Sequence, residues 1–384
     1  MTHYSTLTQA LRPHLSWHGA RIAFLGLFLI ALFKVKTVNL QELSVGFQTR
    51  AKPESSYKRL QRFFREFPLS PSDIAVLVVR WMQIPAPWVL SLDRTTWEFG
   101  DQCHNFIVLG IVHEGMCYPI LWRLLPKKGN TNQGERIDLL NEFHRLFPQA
   151  QVDYLCGDRE FIGKVWIDYL QMAPALSFRL RIRASDRITR QGICQSARVT
   201  FAHLQVGDSQ CLSGDCRVWG HRVTVSALRL PSRELLVVIA PVDTPHPIQD
   251  YGQRWGIETL FGVFKTRGFC LESTHLKDPQ RISTLFGLLT LALCWAMYTG
   301  QFLAHHNPIP IKNHGRKSKS VFRLGFDYIR HILLNPHLST GDAFSRTSLF
   351  CPVLRFSLSK ICFRILQHFA KLFHTVATMS KVVF

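Results

Sequence analysis

The sequence predicts an α/β protein: a mixed β-sheet covered by helices, with helical regions at both ends. Three observations predict it. Between Trp88 and Arg183, apolar segments of strand length alternate with segments of helical period. A strand- and turn-rich stretch follows from about Ala184, and helical periodicity returns abruptly near Asp250. The 384 residues are 47% hydrophobic and 12% aromatic, enough to build large cores, which excludes a disordered basic tail or a disulfide-stapled mini-protein.

Residues 1 to about 85 read as helices. The apolar run from Ile22 to Phe33 is shorter than the roughly 20 residues a bilayer requires and reads as a buried helix. Leu40 and Leu43 anchor a short helix, and Ser55 or Ser56 caps another that packs through Tyr57, Leu60, Phe63 and Phe64. Its other side carries Lys58, Arg59, Arg62 and Arg65, which suits either a helix-turn-helix-like DNA-binding module or the solvated basic face of a small bundle.

The period changes after "MQIPAPWV". Trp88 to Leu92 is a buried strand with Asp93 at its end, and two apolar segments around Glu114-Gly115 form a hairpin. Gly134 to Phe147 is a helix, "VDYLCGD" a strand ending at Asp158, "FIGKVWIDYLQM" a helix and "LSFRLRIR" a strand. The next stretch, up to Asp250, reads as an insertion that extends a β-rich arm from the sheet. Ile282 to Gly300 is apolar and nearly long enough for a membrane span, but it reads as a core helix, so no membrane partner is expected.

With 46 Lys+Arg against 26 Asp+Glu, the formal charge is +20, which favours a polyanionic partner without choosing any chemistry. Ten scattered cysteines and no secretion signal suit reduced thiols in the cytoplasm. His113, His104 with Cys103, the His305-His306 pair and Cys211 with Cys216 lack the spacing of a zinc site.

The chemistry rests on three carboxylates carried by different elements: Asp93, Asp158 and Glu258. Two strand ends can be neighbours in a sheet, and a helix packed beside them can bring in the third. Clustered carboxylates repel unless one is protonated or cations lie between them, and oxygen ligands suit Mg²⁺ or Mn²⁺. Two such ions about 3.5–4 Å apart can serve phosphoryl transfer. The plain alternative is that aspartates after strands are turn formers. On helical spacing Tyr251, Arg254 and Glu258 share a face, and Lys265 returns near it, offering a phenol, a guanidinium and an ammonium to phosphates. An ordinary amphipathic helix with an internal Arg–Glu pair has the same spacing.

Tyr251, Arg254, Glu258 and Lys265 match every interval of a Tyr-Arg-Glu-Lys signature, and Asp93 in "SLDRTTW" and Asp158 in "LCGDREF" supply the two acids before it. In these features the chain resembles the DDE transposases of bacterial insertion sequences, of the cut-and-paste group. The resemblance implies an RNase H-like catalytic core in two parts, 86–183 and 250–305, interrupted by a β-rich insertion, 184–249. A helical DNA-binding region, 1–85, precedes it, and a basic region, 306–384, follows it for DNA contact or dimerisation. It implies that Asp93, Asp158 and Glu258 hold two Mg²⁺ ions, with Mn²⁺ as a substitute. Tyr251, Arg254 and Lys265 would hold DNA phosphates. The implied partners are double-stranded DNA as terminal inverted repeats and target DNA, bound by a homodimer in a cytoplasmic, DNA-associated protein. The implied reaction is strand cleavage and transfer of 3′-hydroxyl ends. The alternatives are an RNase H-like nuclease without transfer and an inactive transposase-derived DNA-binding protein. Lys58, Arg59, Arg62, Arg316, Lys317 and Lys319 are further DNA contacts in this reading, and Trp219 stacks on a displaced base or simply packs.

Overall fold

A computed structural model of the chain describes residues 3–335 apart from Gln48, Gly100, Asp101, Ala173, Pro174, Ser213 and His314. The apolar and basic tail beyond residue 335, expected to have helical potential, lies outside the described residues. The chain divides into two compact units. One takes in Met1–Lys36, Gln41–Ser56 and the chain from Ala292 on; the other, larger, takes in Thr37–Leu40 and Tyr57–Leu291.

The N-terminal stretch is helical: α1 (His3–Leu11), α2 (Gly19–Val35), α3 (Leu40–Gly46), α4 (Pro53–Glu66) and α5 (Pro71–Met82). Helix α2 is the apolar run, buried at Ile22 and continuously from Phe24 to Phe33. Helix α4 begins at Pro53, before the serines expected to cap it; the fixed φ and missing N–H of proline suit a first turn, and Ser55 and Ser56 lie just inside it. Leu60, Phe63 and Phe64 are buried, while Lys58, Arg59, Arg62 and Arg65 are exposed.

The larger unit is built on an eight-stranded mixed sheet. Strands β1 (Trp88–Phe99), β2 (Gln102–His113) and β3 (Met116–Leu125) form an antiparallel meander. The β2–β3 turn is Glu114-Gly115, both with positive φ (50° and 75°), the conformation whose twist fits a two-residue hairpin and which glycine adopts without strain. Helix α6 (Gln133–Leu146) follows, started by a capping box in which Asn132 accepts from the Glu135 N–H and Glu135 accepts from that of Asn132. Then come β4 (Val152–Gly157), α7 (Lys164–Gln171) and β5 (Phe178–Ile182), with β4 parallel to both β1 and β5. The order of three strands, helix, strand, helix, strand is the expected one.

The expectation for Asp93 needs correction. Strand β1 does not end there but continues to Phe99, because Arg94 to Phe99 pair with Ile107 to Gln102 of β2. A polar start, "DRTT", hides this half of the strand, yet Thr95 and Trp97 are buried. What ends at Leu92 is the parallel pairing with β4, whose last register pair is Leu92 with Gly157.

The stretch after β5 holds β6 (Arg187–Arg190), β7 (Ile193–Ser196), α8 (Ala197–Thr200), β8 (Ser209–Leu212), β9 (Cys216–Val218), β10 (His221–Arg222), β11 (Thr224–Arg229) and β12 (Leu235–Ala240). It divides in two. Strands β12, β11 and β8 extend the main sheet beyond β5, giving the order β3-β2-β1-β4-β5-β12-β11-β8, while β10, β9, β6 and β7 form a separate four-stranded sheet.

The chain returns through α9 (Pro247–Tyr251), a 3₁₀ turn (Gly252–Arg254), α10 (Trp255–Gly262) and a π-helical turn (Val263–Arg267). Helix α11 (Pro279–His306) crosses the boundary between the units, and α12 (Val321–Leu334) closes the described chain. In the larger unit Phe286 of α11 stacks on Phe106 at 4.8 Å and meets Phe264 of the π turn at 5.0 Å. This aromatic cluster fastens the returning helices to the meander. In the smaller unit, Phe33 packs on Trp295 and Phe326 at 4.9 and 5.1 Å. Among the described residues α11 alone is a single helix long and apolar enough to cross a membrane, and 89% of its most apolar window is buried inside the protein.

Candidate active site

The register of β1 against β4 brings the first two acids together. Asp93 and Asp158 each follow the last parallel pair, Leu92 with Gly157, so they stand side by side where the two strands part. The Asp93 carboxylate accepts from the backbone N–H of Arg94 at 2.7 Å. Arg94 is in turn fixed by Glu160 at 2.9 Å, by Asn105 at 3.1 Å and by Asn130 at 3.3 Å. Glu160 also accepts from the N–H of Thr131 at 3.1 Å, tying the loop before α6 to the segment after β4.

The third acid arrives on α10, which packs on β3 through Gly256. A Cβ at that position would lie 2.8 Å from Val112 and 3.3 Å from the backbone of Cys117, so glycine sets how closely the helix approaches. The entry to this helical run is fixed by buried Arg179 of β5, which grips Asp250 at 2.7 Å and stacks over the Tyr154 ring at 4.4 Å.

Arg254 is the hub. It is buried, it donates to Asp93 at 2.7 Å, and it pairs with Glu258 one helical turn on. Tyr251 donates to Asp158 at 3.4 Å, and Arg181 of β5 lies 3.8 Å from the same carboxylate. Tyr251, Arg254 and Glu258 thus share a face as the helical spacing predicts. Burial pushes the Asp93 carboxyl up to about 6 against the pull of Arg254 and the Arg94 N–H, and the neighbouring Asp158 and Glu258 charges push the same way as burial. Burial acts to lower the Arg254 value, but Tyr251 and the three acids together hold it above the ordinary arginine range. Burial likewise raises the Tyr251 phenol.

Lys265 takes a different direction from the other three signature residues. The π turn carries its ammonium to the Thr96 carbonyl on β1, at 2.6 Å, and to Glu272, at 3.4 Å. It stays beside the strand that bears Asp93 without touching the acids.

The donor set at this site is three carboxylates and no sulfur or imidazole, which fits a hard divalent cation such as Mg²⁺. Among the described residues no group of three or more His, Cys, Asp or Glu side chains is placed to hold a metal ion, and Arg254 pairs with both Asp93 and Glu258.

The remaining sequence candidates are carried by other elements. Lys58, Arg59 and Arg62 are exposed on α4. Arg316, Lys317 and Lys319 are exposed before α12, where Lys319 pairs with Asp327 at 3.8 Å. Trp219 occupies, with Gly220, the two-residue turn between β9 and β10, and both have positive φ. Arg181, Arg94 and Glu160 belong to the site and escaped the sequence reading. Of these only Arg181 has a signal in the sequence, in "SFRLRIR", where Arg179, Arg181 and Arg183 alternate at strand period and therefore share one face.

A family model described as transposase DDE domain matches residues 84–295. No curated protein matches the chain. Among solved structures, the chain is similar to the piggyBac transposase in its synaptic complex with hairpin DNA, at 14% identity and a TM-score of 0.46, covering 90% of this chain and 82% of that one. It is also similar to human ENDOV, at 17% identity and a TM-score of 0.25, covering 59% of this chain and 94% of that one. Endonuclease V of Bacillus subtilis gives 12% identity and a TM-score of 0.25, covering 62% of this chain and 92% of that one.

Proposed function

From the premise that this chain belongs to the family of transposase DDE domains, whose model spans more than half of it, we propose the following reaction. The protein binds terminal inverted repeats as a homodimer, cleaves at the element's ends in the presence of Mg²⁺, and joins the 3′-hydroxyls to target DNA. The observation that carries this reading is the junction of Asp93, Asp158 and Glu258 around Arg254 and Tyr251.

In this reading Asp93, Asp158 and Glu258 would hold the divalent ions, which would supply activation of the attacking oxygen and stabilisation of the leaving one. The chain's own residues do the rest. Arg254 offers a planar guanidinium to a phosphate oxygen, Tyr251 donates its hydroxyl to another, and Lys265 adds a point charge beside β1. In cleavage, water attacks phosphorus and the bond from phosphorus to the 3′-oxygen breaks. In joining, that 3′-hydroxyl attacks a target phosphodiester, one phosphorus–oxygen bond forms as another breaks, and no external energy source is consumed. The exposed cations of α4 and of the segment before α12 extend the DNA contact, and Trp219 is available for stacking on a displaced base.

The test is a purified protein with Mg²⁺, a labelled terminal-repeat duplex and a target plasmid. Covalent joining of the labelled 3′ end is the expected result. Asp93→Asn, Asp158→Asn and Glu258→Gln should each reduce cleavage by at least about a hundredfold, as for loss of a group that stabilises transition-state charge, and leave duplex binding in place. Cleavage without joining would point to a nuclease; normal turnover in the three variants would remove the proposed centre.

A further inference from the structure

A second site lies in the same unit, beyond β5. A cavity of about 530 Å³ is lined by Arg159, Arg181, Arg183, Arg198, Arg229 and Arg233, with Glu234 as its one acidic residue. Its size falls within the roughly 300–1,000 Å³ of ligand pockets, but its wall is cationic where such pockets are mostly apolar. Four separate segments build it: the turn after β4, the end of β5, helix α8, and the β11–β12 turn.

The arginines fall into two groups. Arg229 is spent on structure, donating to the carbonyls of Phe201, Leu204 and Arg233 and so locking α8 and the following loop to the β11–β12 turn. Arg181 and Arg159 share Glu234, and Arg181 also reaches Asp158. Arg183, Arg198 and Arg233, by contrast, are exposed, and their guanidinium groups meet no carboxylate among the described residues. Holding that many like charges around one hollow is costly unless an anion fills it. Guanidinium forks match the paired oxygens of phosphates as they do those of carboxylates.

The cavity adjoins the acids. Arg159 follows Asp158 directly, and Arg181 bridges Asp158 and Glu234, so a strand whose phosphate sits at Asp158 would continue into it. We propose that this arginine-lined cavity is a sequence-independent binding site for the DNA phosphodiester backbone, continuous with the acidic centre, and that Glu234 occupies the anion position until DNA displaces it. The site adds to the function proposed above and rests on DNA being the substrate. The same chemistry would accept a free phosphate or nucleotide, and the experiment separates the two.

The measurement is binding of a fluorescein-labelled random-sequence duplex, without divalent ion, across roughly 50 to 200 mM salt. For the triple variant Arg183→Ala, Arg198→Ala, Arg233→Ala, the slope of log affinity against log salt should fall by about 2–3, as for three lost phosphate contacts, with affinity at least about tenfold weaker at physiological salt. Glu234→Gln should act oppositely and tighten binding, so a poorly folded triple variant leaves the idea open to refutation. Millimolar inorganic phosphate or ATP should compete weakly with the duplex. An unchanged slope in the triple variant, no gain in Glu234→Gln, or strong competition by ATP would overturn the proposal. Cleavage plays no part in this readout, so a protein inactive on terminal repeats could still show the slope change, and an active one could lack it.

Discussion

At the scale of the residue, Asp93 has the clearest consequence. Its carboxyl, pushed up to about 6 from an ordinary 3.8, holds its proton more tightly in the folded protein than in the unfolded one. Stability from this group is therefore gained, not lost, as the pH falls through about 6, whereas its capacity to hold a cation is lost over the same interval. The Mg²⁺ concentration needed for half-maximal cleavage should accordingly rise as the pH drops through about 6, while the melting temperature of the metal-free protein does not fall. Single-turnover rates across Mg²⁺ concentrations and thermal melts recorded on the same samples would check this, and an unchanged Mg²⁺ requirement or a falling melting temperature would sink it. Arg254 adds a second residue-scale lesson. One guanidinium serves Asp93 and Glu258 together, a role that needs a planar fork and that the point charge of a lysine cannot copy.

At the scale of the element, the helical run from Pro247 to Arg267 is the part to perturb. Gly256→Ala would push a methyl against Val112 and the β3 backbone; overpacking of this kind costs about 1–3 kcal/mol. The helix must lift, carrying Arg254 and Glu258 with it, so cleavage should fall by more than the loss of stability explains. Chemical denaturation with activity assays below the transition would show whether it does. This run also shows how far the sequence could be read. Tyr251, Arg254 and Glu258 were legible because helical spacing survives the junction of a 3₁₀ turn with α10, and because Arg–Glu four apart is a local pairing. The direction of Lys265 was not, since the π turn that carries it leaves no mark in the spacing, and its ammonium reaches the Thr96 carbonyl. The middle of β1 was hidden by its polar residues, whose pairing is visible only from β2. Strand β5 was legible as a strand and its alternating arginines as one face, but their partners were not, because Glu234 and Asp250 come to it from distant parts of the sequence.

At the scale of the whole molecule, the charge distribution is uneven in sign. A chain of net charge +20 gathers three acids at one point and six arginines at another close by. Divalent ions should relieve the first. At about a hundred times its dissociation constant, a cation that binds only the folded state stabilises it by about 2.7 kcal/mol. Mn²⁺ should thus raise the melting temperature of the wild-type protein and not of a variant carrying Asp93→Asn and Glu258→Gln, as differential scanning fluorimetry can establish; equal shifts in both would place the ion elsewhere. The register pair of Leu92 with Gly157 has a consequence for synthesis. During translation, which proceeds from the N-terminus, β1 and β4 can pair before Arg254 has left the ribosome. Pairing at that stage would make the two aspartates neighbours first and leave their repulsion without Arg254 until the returning helix delivers it.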